Sequence, residues 1–252
     1  MASTITAAQQ ALHDQQKADN DLVLSFRSVR RAVGLLGFFL PVALFLYSLI
    51  HQQPPLPTMS DYHYSPVGVI FTGTLCAIAV FLWSYQGFRR LKDQFFSDLV
   101  VARVASLGAL GTAWIPALPR FDLPLCDLAA LPANCNFVQQ LLTPGLAGWA
   151  HVLSAAVFFA ALVVFCLILF TRSPDDTAER RASKLIYRIC GVIIILAMLA
   201  IAVLWGRPVA PGSLWQPVFW AEAVACFAFA TSWAVKGDGM RWLVRLAVRI
   251  TG

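Results

Sequence analysis

Six stretches of this chain are apolar for about 20 residues each, more than a soluble domain of 252 residues can bury. An apolar helix of that length crosses a hydrocarbon core of about 30 Å. Only helices and closed barrels satisfy their backbone polar groups inside lipid. The runs fall at 33–50 (VGLLGFFLPVALFLYSLI, with Pro41 as an expected kink), 67–88, 99–118, 149–171, 185–205 and 218–235. Arg103 lies inside the third, so a re-entrant or interfacial helix is the alternative there. Composition agrees. Apolar residues make up 59% of the chain and charged residues 13%, against roughly 45–50% and about 25% in soluble domains. The expected fold class is all-α: a polytopic membrane helix bundle with six transmembrane helices. A disordered chain, a disulfide-dense secreted module and a nucleic-acid binder are excluded.

Orientation follows from the basic residues, which favour cytoplasmic loops. Arg27, Arg30 and Arg31 precede the first run, and Arg89, Arg90 and Lys92 follow the second. Arg172, Arg180, Arg181 and Lys184 follow the fourth, and Lys236, Arg241, Arg245 and Arg249 follow the sixth. The other three connections hold only Arg120 and Arg207. The alternation places both termini in the cytoplasm. The formal charge of +6 is therefore a topology signal rather than a nucleic-acid patch.

Three units follow. Residues 1–32 form a cytoplasmic segment without the layout of a signal peptide, expected to lie as a helix along the membrane surface. Residues 33–235 form the transmembrane domain, with an external cap loop at 119–148. Residues 236–252 form a basic amphipathic tail, in which Arg241, Arg245 and Arg249 share one helix face.

Cys76, Cys166, Cys190 and Cys226 fall within the runs and read as small packing residues. Cys126 and Cys135 lie in the external cap loop, where an oxidising compartment favours a disulfide between them.

Ionisable residues inside spans are costly and point to function. Arg103 and Arg188 sit near cytoplasmic ends, where they can snorkel to lipid headgroups, and Asp98 can pair with either. The external side holds His151 at the outer end of the fourth run. Glu222 lies about five residues into the sixth, roughly 7 Å deep. Asp61 and His63 lie in the loop before the second run, and Ser154 follows His151 by three residues on the same helix face. His151, His63 and Asp61 are ligand types for zinc with an open position for water. Glu222 and Ser154 are the candidates for acid–base and hydroxyl chemistry. The competing reading is that His151 and Glu222 hydrogen-bond to neighbouring polar groups and set helix register. In the third run, Ala105, Ala109 and Ala113 recur every four positions beside Gly108 and Gly111, a stripe that allows close helix approach.

Several short runs carry a family resemblance. They are Ser60-Asp61-Tyr62, Tyr85-Gln86-Gly87 with Asp93, His151 leading to Phe158-Phe159, Tyr187-Arg188 with Gly191, and Glu222 followed by Ser232-Trp233 and Lys236-Gly237. Over roughly residues 30–237 the chain resembles bacterial six-span membrane proteins of the domain-of-unknown-function-998 and Frag1/DRAM/Sfk1-like groups. That resemblance implies six spans and no settled activity. More distantly it is similar to the CREST intramembrane hydrolases, which use three histidines, a Ser and an Asp around zinc. Here only His151 and Ser154 follow that order within a span, and no histidine follows His151.

The expectation is an integral protein of a bacterial inner membrane with an external polar pocket. The pocket would bind a lipid headgroup or a metal, with zinc as the metal its ligands suit, and a lipid-directed hydrolase is the sharpest version. The alternative is a non-catalytic accessory subunit or sensor. Expected partners are membrane lipids and a second copy or another membrane protein.

Overall fold

The computed structural model describes residues 7–87, 96–118, 135–172, 177–205 and 213–251, with side chains described over 26–250 of these. Among the described residues the chain is helical without any strand. The helices are α1 (Ala7–Ile50), α2 (Gly68–Ser84), α3 (Asp98–Trp114), α4 (Phe137–Leu142), α5 (Pro144–Val164), α6 (Ala178–Leu204), α7 (Pro217–Lys236) and α8 (Arg241–Thr251). A π-helical turn, Phe165–Leu169, extends α5.

Among the described residues, four helical stretches are long and apolar enough to cross a membrane: Phe26–Ile50, Pro144–Leu169, Ala178–Leu204 and Pro217–Lys236. The chain is therefore a multi-pass membrane protein by its helices. α2 and α3 stand where the other two spans were expected, with 17 residues each. At 1.5 Å per residue, each is about 26 Å long.

One expectation is corrected. No separate surface helix ends at residue 32, because α1 runs without interruption from Ala7 to Ile50. Residues 7–33 contain neither Gly nor Pro, and Ala, Gln, Leu and Arg are good helix formers. Nothing in that stretch ends the helix. Pro41 is accommodated inside α1.

Small residues set the packing. Ala105, Ala109 and Ala113 are all buried on α3. A Cβ on Gly108 would stand 2.8 Å from the Phe158 amide nitrogen and 2.9 Å from the Ser154 carbonyl oxygen, so α3 and α5 touch backbone to backbone. α1 and α7 meet likewise at Gly34, where a Cβ would stand 2.9 Å from the Ala234 nitrogen. Between them Trp233 is enclosed by the rings of Tyr85, Phe165 and Phe170, at edge-on angles suited to aromatic quadrupoles. α6 turns Leu196, Leu199 and Val203 outward, as its unbroken apolar sequence predicts.

The connections sort to two ends. At one end, Arg31 Nε donates to the Gly237 carbonyl at 2.7 Å, and Arg27 pairs with Asp238 at 3.5 Å. At this end also, Arg172 donates to the Phe96 carbonyl at 2.8 Å and pairs with Asp98 at 3.9 Å. Asp98 was expected to pair with Arg103 or Arg188. Instead it stands at the start of α3, where the chain leaving α5 brings Arg172 within reach. At the opposite end, the Phe219 amide donates to the Pro57 carbonyl at 3.1 Å and Tyr64 donates to the Ala117 carbonyl at 2.7 Å.

Candidate functional site

The loop after α1 folds back into the bundle as a 3₁₀ turn, Ser60–Tyr64. Asp61 is 1% exposed there because its carboxylate is engaged within the turn. Oδ2 accepts the Thr58 amide at 2.9 Å while Thr58 Oγ1 accepts the Asp61 amide at 3.0 Å. Tyr62 is fully buried, and its hydroxyl shares a 2.5 Å hydrogen bond with Ser48 of α1.

Both candidate side chains of the long helices engage this turn. Glu222 of α7 accepts the Met59 amide on Oε2 at 2.5 Å. His151 of α5 is 3% exposed and uses both ring nitrogens: Nδ1 lies 2.6 Å from the Ile115 carbonyl, and Nε2 lies 2.9 Å from Ser60 Oγ. A carbonyl can only accept, so Nδ1 carries the proton. In the neutral ring Nε2 then accepts from the Ser60 hydroxyl. One imidazole thereby links α5, the end of α3 and the loop between α1 and α2.

The structure brings Asp61, His151 and Glu222 to the same end of the bundle, as expected. His63 joins them within electrostatic range of His151. Burial holds the His63 ring below the ordinary histidine pKa of 6.5. Burial likewise pushes the Tyr64 phenol up to about 12. Tyr64 accepts from Gln139 of α4 at 2.9 Å, which ties part of the cap loop to the turn. The polar groups mostly bond to backbone and to one another rather than converging on an open point. Among the described residues, no three His, Cys, Asp or Glu side chains are gathered as a metal would require. Ser154 donates back to the Ala150 carbonyl at 2.8 Å and packs over Gly111, which faces it from α3. Its hydroxyl serves helix packing.

Cys126 lies outside the described residues, and with it the pairing expected for Cys135. Residues 119–134 of the cap loop lie outside them too. Arg188 is exposed, and Arg103 is exposed with its guanidinium over the Trp83 ring at 5.2 Å.

The opposite end holds what single residues did not reveal. A cavity of about 730 Å³ lies between α1, α6, α7 and α8. Among the described residues its walls carry Arg27, Arg30, Arg180, Lys236, Arg241 and Arg245 together with the carboxylates Glu179 and Asp238. Asp238 is engaged by Arg27 and by Arg241, the latter at 3.0 Å. Arg30 is only 9% exposed and donates to the Tyr85 hydroxyl at 3.1 Å. Lys236 lies over the Phe170 and Tyr187 rings at 5.2 and 5.7 Å. Gly87 completes the wall at φ +63°, where a Cβ would collide with Asp98. The signal was available. If spans alternate, the basic segments flanking them must converge at one end, and those charges can surround a space.

No family model, curated protein or solved structure matches the chain. The resemblance therefore rests on the short residue runs given above, and the functional reading rests on the two ends of the bundle.

Proposed function

We propose that this protein crosses a bacterial inner membrane six times with both termini cytoplasmic, and that it binds a phosphate-bearing anion in the basic cavity at the cytoplasmic end. The carrying observation is that six cationic side chains, the buried Arg30 among them, line that one cavity. A multivalent anion can bridge several such cations at once through charge-assisted hydrogen bonds. On this reading the outer cluster of Asp61, His151 and Glu222 is a latch. It holds the first external loop in the bundle, and the protein is a ligand-binding membrane component rather than a hydrolase.

The binding test uses full-length protein in neutral detergent, titrated with glycerophosphoglycerol by calorimetry. Saturable binding that weakens with salt is expected, and R180Q/R245Q should weaken it about tenfold or more, at about 1 kcal/mol for each cation removed. Heat that does not saturate, or an unchanged double variant, would remove the reading.

The topology has its own check. In intact spheroplasts a membrane-impermeant maleimide is expected to reach the cap-loop thiols only after reduction, since Cys126 and Cys135 are proposed to be external and paired. A cysteine placed at Ser183 should stay unlabelled until the membrane is opened. Labelling of Ser183→Cys from outside would invert the proposed orientation.

A further inference from the structure

The cavity does not stand alone. An apolar groove of about 260 Å³ lies beside it between α6 and α8, and the two hollows share those helices as walls. Arg180 of α6 and Arg245 of α8 face the cavity, whereas Leu185 and Ile189 of α6 and Leu246 and Ile250 of α8 face the groove. All four groove residues are exposed, Ile250 at 76% and Leu246 at 46%. α8 thus divides a charged compartment from an apolar one along a single edge. Its Arg241 and Arg245 line the first and its apolar face roofs the second.

Resting on the proposed cavity function, we infer that the ligand is an anionic diacyl phospholipid. Its phosphate sits among the cavity cations, and one acyl chain lies in the α6–α8 groove. A free phosphate would have no use for the groove, and a neutral lipid would have none for the cations. Only an amphiphile with an anionic head satisfies both compartments at once. Arg180 and Arg181 stand in the first turn of α6, and Leu185 and Ile189 follow in its next two turns, so the groove begins where the headgroup region gives way to hydrocarbon.

The test is native mass spectrometry of the full chain, exchanged into nanodiscs of equal phosphatidylglycerol and phosphatidylcholine and then released into neutral detergent. The wild type is expected to retain about one phosphatidylglycerol through the delipidating wash, with phosphatidylcholine at least tenfold less frequent. R180Q/R245Q should lose that preference. L246N and I250S, both at exposed positions that folding tolerates, should lose the retained lipid while binding glycerophosphoglycerol as the wild type does. Retention of both lipids alike, or retention unchanged in both groove variants, overturns the inference. Glycerophosphoglycerol binding without any retained lipid also overturns it while leaving the cavity reading intact. Failure of both ligands removes the two together.

Discussion

Gly108→Leu is expected to yield little or no folded protein. The position is not merely tight. The atoms nearest to an added Cβ are the Phe158 nitrogen and the Ser154 oxygen, both backbone, at 2.8 and 2.9 Å. Side chains can rotate away from an intruder, but a helix backbone can only translate. Moving α5 outward would separate it from Ala105, Ala109 and Ala113, whose burial depends on the short interaxial distance. Overpacking of a close-packed interior typically costs about 1–3 kcal/mol, and more where backbone must move. The measurement is the yield of monodisperse protein in detergent and its melting temperature. Gly73→Leu is the control, because a Cβ there meets nothing within 4 Å. A Gly108 variant that melts with the wild type would show that α3 and α5 do not cross in this way.

The second large effect is expected for His151→Leu. Leucine fills much of the imidazole's space but leaves the Ile115 carbonyl and the Ser60 hydroxyl without their partner. Each buried polar group so abandoned costs about 1–3 kcal/mol, and both sites are partly buried, so the expected total is about 2–3 kcal/mol. Ser60→Ala removes one of the two bonds and should cost about 1 kcal/mol. Glu222→Gln keeps an acceptor for the Met59 amide and should fall close to the wild type. Thermal unfolding in detergent ranks the three. The same preparations distinguish the latch from the zinc reading. Protein purified without chelator is expected to carry no stoichiometric zinc. Near-stoichiometric zinc that disappears in His151→Leu would replace the latch with a metal centre.

Sequence and tertiary structure contribute differently at the two ends. His151, Asp61 and Glu222 were legible because ionisable groups near or inside apolar runs are conspicuous. Their partners were not. Ile115 contributes a backbone carbonyl, Met59 a backbone amide, and Ser60 an ordinary loop hydroxyl. Backbone groups have no sequence signature, so a zinc ligand and a latch look alike until the fold shows where each nitrogen points. Ser154 illustrates the same limit: its spacing from His151 is right for a shared face, yet Gly111 on α3 decides what it touches.

The helical class, the apolar helices long enough to cross a membrane and the small-residue stripe of α3 follow from the sequence alone. Each depends on local composition or on a period along one helix: apolar length, and Ala or Gly every fourth position. The basic cavity and the Asp98–Arg172 pair belong to tertiary structure. They depend on which helices become neighbours, with Arg30, Lys236 and Arg245 separated by many residues along the chain and joined only by the crossings of α1, α6, α7 and α8. Residues read singly as topology markers come to line one cavity because packing at Gly34 and Gly237 draws α1 against the end of α7.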